Sequence, residues 1–89
     1  MTWRIDFSPD SLEFLSRNNL KEEFAVDKIK LAIRKFSGER INVNIKRLGG
    51  KWEGFYRIRS GKLRIIVEFQ FENHQILIEE IDWRGSSYK

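Results

Sequence analysis

The chain has 89 residues, 40% of them hydrophobic, enough for one small core and too few for a second, so residues 1–89 are expected to form a single domain. No run approaches the roughly 20 apolar residues of a membrane-spanning helix, and the N-terminus lacks the apolar stretch and cleavage site of a secretion signal, so the expected compartment is the cytoplasm. Absence of cysteine and a single histidine exclude disulfides and thiolate or histidine-cluster metal sites, while a net charge of +4 and a pI near 9.6 favour a polyanionic partner.

Trp3, Ile5 and Phe7 alternate with Arg4 and Asp6 as in a short strand. Ser8 supplies an N-cap, Pro9 a first helical residue whose missing N–H costs nothing, and Asp10 a charge suited to the positive end of the dipole. This helix is expected to reach Arg17, with Leu12, Phe14 and Leu15 on its apolar side and Asn18-Asn19 as its stop. From Lys21 to Phe36, Ala25, Ile29, Ala32, Ile33 and Phe36 recur at helical spacing, widened by Phe24, Val26 and Leu31, and Ser37-Gly38 ends the run. Helices joined this closely are expected to form an antiparallel hairpin.

Residues 39–51 are read mainly as a connection, although Ile41, Val43 and Ile45 alternate like an edge strand before Gly49-Gly50 breaks the pattern. Strands are expected at residues 53–59, 62–71 and 74–82, with Glu72-Asn73 as the second turn. His74 is taken as a solvent-exposed turn residue, and Trp3 and Trp52 as packing residues. The order gives an α+β fold, β-α-α-β-β-β, with the helical hairpin packed on one face of a mainly antiparallel sheet.

The stretch from Gly54 to Val67 carries the chemistry. With Ser60-Gly61 as a two-residue loop, Arg59 pairs with Lys62 and Arg57 with Arg64. Phe55, Arg57, Arg59, Lys62, Arg64, Ile66 and Glu68 then share one face, and Tyr56, Ile58, Leu63, Ile65, Val67 and Phe69 the other. Like charges directly opposite each other destabilise a strand pair by up to about 1 kcal/mol, so a face with paired arginines invites an anion. Extending the registry, with Phe71 opposite His74, puts Gln75, Leu77, Glu79 and Ile81 on the arginine face and Ile81 opposite Arg64. An ordinary alternative is a solvated face whose arginines are partnered by Glu53, Glu68 and Glu79.

Gly54-Phe55-Tyr56-Arg57-Ile58-Arg59 followed by Gly61-Lys62-Leu63-Arg64-Ile65-Ile66, the lead-in Leu48-Gly49-Gly50 and the ending Asp82-Trp83-Arg84-Gly85-Ser86-Ser87-Tyr88-Lys89 resemble, in order and spacing, the RelE/ParE superfamily of small bacterial and archaeal toxins. Leu63 departs from the family pattern at a usual aromatic, Trp83 at a common histidine and Gly85 at a second arginine. The resemblance implies a RelE-like fold and, for RelE-type members, a ribosome-dependent endoribonuclease that cuts messenger RNA and is held inactive by a cognate antitoxin. ParE-type members inhibit DNA gyrase instead, and an inactive, antitoxin-binding member is a further alternative. Retention of Arg84 and Tyr88 favours the nuclease.

The resemblance makes Arg57, Arg59, Arg64, Arg84 and Tyr88 the expected catalytic set. Lys46, Arg47, Lys51 and Lys62 are the expected RNA contacts, and for Trp83 stacking on RNA and packing stay open. The expected partners are the antitoxin, the ribosome and messenger RNA, with no metal or other cofactor. Arginine stays protonated and cannot serve as a general base, so the three strand arginines are expected to clamp phosphate while a 2′-OH attacks it. Arg84 would contact the leaving-group side. Two roles stay open for Tyr88, accepting the 2′-OH proton and stacking on a base.

Overall fold

The structure is a computed structural model that describes residues 2–83. Its elements are β1 (Arg4–Phe7), α1 (Pro9–Arg17), α2 (Glu22–Phe36), β2 (Asn44–Arg47), a 3-10 turn (Gly50–Trp52), β3 (Phe55–Ser60), β4 (Leu63–Gln70) and β5 (Gln75–Trp83). The strands form one five-stranded sheet in the order β1-β5-β4-β3-β2. All neighbours are antiparallel except β1 and β5, which run parallel.

The helices begin and end where their caps dictate. Ser8 Oγ accepts a hydrogen bond from the Ser11 N–H at 3.1 Å, with Pro9 next to it at the first helical position. Asn19 enters the left-handed region at φ 54, which lets the Leu20 N–H return to the Leu15 carbonyl at 2.9 Å and close α1. Gly38, at φ 101, does the same for α2, where the Glu39 N–H meets the Arg34 carbonyl at 3.2 Å.

One sheet face carries Ile58, Ile65, Val67, Phe69, Ile76, Ile78 and Ile81, and these pack with Phe14 and Leu15 of α1 and Ala25, Ile29 and Ala32 of α2. Each fully buried isoleucine contributes about 1.5–3 kcal/mol. Because the helices take this face, the chemistry-bearing side chains of the hairpin are left on the other.

Several local expectations change. Leu12, expected on the apolar side of α1, stands 40% exposed, and Ser11 is fully buried instead. The reason is that Ser11 Oγ donates to the carbonyls of Ser8, at 2.8 Å, and Ile78, at 3.3 Å, so a small hydroxyl fits where α1 crosses β5. Residues 39–51 are not only a connection, since β2 pairs with β3 and sets Ile45 opposite Ile58. The Val43 and Ile45 alternation therefore wins, and the glycines end the strand rather than prevent it. His74 is half-buried, its ring 5.1 Å from that of Trp3, because its carbonyl accepts the Arg4 N–H at 2.9 Å and ties the turn to β1. Among the described residues no helix is long and apolar enough to cross a membrane.

Candidate functional site

The β3–β4 hairpin turns at Gly61-Lys62, with Ser60 opposite Leu63, Arg59 opposite Arg64 and Arg57 opposite Ile66. The expected pairs Arg59 with Lys62 and Arg57 with Arg64 are thus displaced by two residues. Gly61 explains the choice: at φ 58 it takes the first loop position, the place where a type II′ turn requires glycine. A slip of two preserves the faces, whereas a slip of one would have reversed them. The arginines therefore remain together, but the directly opposed like charges are Arg59 and Arg64, and Lys62 moves into the loop.

Two rows cross the face. One runs Asn44, Arg59, Arg64, Asp82 and the other Lys46, Arg57, Ile66, Glu80. Ile66 is 3% exposed and gives the second row an apolar floor. The Arg64 side chain is only 15% exposed; its Nε is buried without a hydrogen bond among the described residues, and its Nη2 lies 3.6 Å from Glu80 Oε2. Arg57 Nη2 donates to Asn44 Oδ1 at 3.2 Å. A guanidinium keeps its charge when partly desolvated, and shielding from water strengthens its pull on an anion.

The acids on this face differ from those expected, because β5 carries a bulge. Val67 pairs with Ile78 but Ile66 pairs with Glu80, so Glu79 has no partner on β4 and every later residue changes sides. Glu80 and Asp82, not Glu79 and Ile81, join the arginines, and Asp82 rather than Ile81 lies opposite Arg64. Ile81 turns into the core at 4% exposure. The helix start holds the bulge in place. Ser8 Oγ donates to the Glu79 carbonyl at 2.6 Å, while the Ile78 carbonyl accepts from the Ser8 N–H at 2.9 Å and from Ser11 Oγ.

The remaining candidates scatter. Lys46 lies in the arginine rows, whereas Arg47 pairs with Tyr56 on the helix-facing side. Lys51 is exposed on the 3-10 turn and Lys62 is exposed in the hairpin loop. The bulge carries Trp83 to the helix side, where its ring meets Phe14 at 5.5 Å. Trp52 packs edge-on to Phe55 at 5.3 Å and lines a groove with Glu80 and Asp82 beside the rows. Arg84 and Tyr88 lie outside the described residues. Among the described residues no group of three or more metal-ligating side chains converges. Glu80, Asp82 and Asn44 were missed in the sequence; the signal for the first two was the three-residue step from Ile78 to Ile81 in a strand that otherwise alternates.

No family model matches this chain. No curated protein matches it either. Solved structures do match in fold. The archaeal RelE–RelB complex from Pyrococcus horikoshii OT3 aligns with TM-score 0.66 and 22% identity over 97% of this chain and 99% of that one. The E. coli DinJ–YafQ toxin–antitoxin complex aligns with TM-score 0.67 and 11% identity over the full length of both chains. The YoeB–YefM toxin–antitoxin complex from Staphylococcus aureus gives TM-score 0.62 and 19% identity over 94% of this chain and 99% of that one. The fold is RelE-like: two helices on a five-stranded mixed sheet.

Proposed function

We propose that this chain is the toxin of a toxin–antitoxin pair and that its arginine face is a ribosome-dependent endoribonuclease site. The observation that carries the proposal is the constellation of Arg57, Arg59 and Arg64 on one half-buried sheet face, with the Glu80 carboxylate 3.6 Å from Arg64. The fold shared with chains of toxin–antitoxin complexes supports the same reading. Cations fixed on strands are already aimed where charge grows on a phosphate, so they need no reorganisation during the reaction.

In the proposed step the RNA 2′-oxygen attacks the adjacent phosphorus. The P–O2′ bond forms, the P–O5′ bond breaks, and the products are a 2′,3′-cyclic phosphate and a 5′-hydroxyl. Arg57, Arg59 and Arg64 hold the non-bridging oxygens and stabilise the dianionic transition state. Arg84 contacts the departing 5′-oxygen, which takes its proton from water. The 2′-OH proton needs an acceptor that an arginine cannot be, and two groups are proposed: Glu80, beside Arg64 on the face itself, and Tyr88; the Asp82 carboxylate already accepts the Trp83 N–H at 2.8 Å. Neither metal nor cofactor enters the step. Dependence on the ribosome fits a site rich in charge stabilisation and poor in acid–base groups, because the ribosome can supply the alignment that the protein lacks.

The antitoxin of this reading is a protein with an acidic segment that covers the cationic face. Cleavage of ribosome-bound message by Glu80→Gln and Tyr88→Phe separates the two acceptors: the variant lacking the true acceptor loses cleavage while still binding RNA. Full cleavage by both variants would falsify acceptance of the proton by either group.

A further inference from the structure

Beyond Arg59 the sheet ends in a corner formed where the chain approaching β2 passes the β3–β4 turn and the flank of α2. It is a groove of about 350 Å³ lined by Lys28, Asn42, Asn44, Arg59 and Ser60 among others, with no acid in its walls. Arg59 belongs both to this corner and to the arginine row, where it stands opposite Arg64. Asn44 is also shared: its Oδ1 accepts from Arg57, which orients its amide nitrogen as the donor it has left to offer. Arg64 and Asn44 are two strand spacings apart, roughly 10 Å, within reach of a neighbouring nucleotide.

We propose that this corner is a second nucleotide subsite, taking the ribose and phosphate next to the phosphate held by the three arginines. The inference rests on the reading of the arginine face as a phosphate site and adds a direction of travel for the strand. Lys28 supplies a cation for the flanking phosphate. Asn42, Asn44 and Ser60 supply the donors and acceptors that a ribose needs, with a 2′-OH able to use both kinds. The volume suits a sugar-phosphate unit. With Lys28 and Arg59 directed to phosphates and Asn42, Asn44 and Ser60 to the ribose, the subsite is expected to bind the backbone with little base preference.

The test is a titration of the isotope-labelled full chain, followed by NMR, with inorganic phosphate and with adenosine 3′,5′-bisphosphate. The bisphosphate is expected to bind at least about tenfold more tightly and to move the side-chain amide signals of Asn42 and Asn44. Lys28→Ala and Asn42→Ala should each weaken the bisphosphate about three- to tenfold and leave inorganic phosphate within about twofold. Lys30→Ala removes the same charge from α2 at a residue that lines a different groove, beside Trp3 and Ile5, and should change neither ligand. Equal losses in Lys28→Ala and Lys30→Ala, or unmoved Asn42 and Asn44 amides, would overturn the subsite. Arg64→Ala tests the underlying reading separately. If it abolishes inorganic phosphate binding while Lys28→Ala and Asn42→Ala match Lys30→Ala, only the corner fails; if phosphate binding survives Arg64→Ala, the arginine reading fails.

Discussion

The two flanks of the arginine rows are built from opposite materials. On the β5 side lies a groove of about 370 Å³ walled by Asp10, Glu79, Glu80 and Asp82, with Arg17 and Trp52. On the β2 side lies the corner of Lys28, Asn42, Asn44 and Arg59, which has no acid. A polyanionic strand crossing Arg64 is drawn toward the corner and repelled from the acidic groove. Glu80, the described residue proposed as proton acceptor, is one of the acids of this groove. In the proposed reaction, phosphate binding by Arg57, Arg59 and Arg64 and proton acceptance by Glu80 thus fall on different strands, β3–β4 and β5.

The comparison breaks most directly at its centre. Arg64→Ala is expected to cut cleavage of ribosome-bound message by about 10²–10³, measured as single-turnover rate by primer extension. Glu80→Gln sharpens the assignment of the acidic side. As the proton acceptor it should cost about 10² in rate while RNA binding, followed by fluorescence anisotropy, stays equal or tightens. A carboxylate that merely neutralises Arg64 would give unchanged or faster cleavage instead.

Smaller effects probe how the acids reach the arginines. Ser8→Ala removes the N-cap and the hydroxyl that holds the Glu79 carbonyl, and should lower stability by about 1 kcal/mol in urea unfolding. If the bulge is what aims Glu80, cleavage should fall further than this loss explains at temperatures where the variant is fully folded. Asp10→Asn, at the far wall of the acidic groove, should tighten RNA binding by no more than about twofold, as expected of one exposed charge, and a larger change would place the strand in that groove.

Much of the fold was legible because its signals are local. Ser8-Pro9, Asn18-Asn19 and Ser37-Gly38 marked the helix ends, since caps and left-handed residues act over one turn. The arginine face was legible too, because alternation survives a two-residue error in register. The bulge was not, because adjacent Glu79 and Glu80 read equally well in or out on a half-open sheet, and only the positions of Ile78 and Ile81 against the helices decide which of them is the extra residue. That choice moved Asp82 and Glu80 to the arginines and Trp83 away from them. The corner was illegible for a different reason: Lys28 and Asn42 lie far apart along the chain from Ser60, and only the path of α2 past the β3–β4 turn brings them together.

The most direct measurement is primer extension on a message bound to ribosomes and on the same message free in solution, with a gyrase supercoiling assay run in parallel on the same preparation. The account predicts cleavage only on the ribosome, with a 5′-hydroxyl on the downstream fragment and gyrase activity unchanged. Loss of supercoiling with the message intact would contradict it.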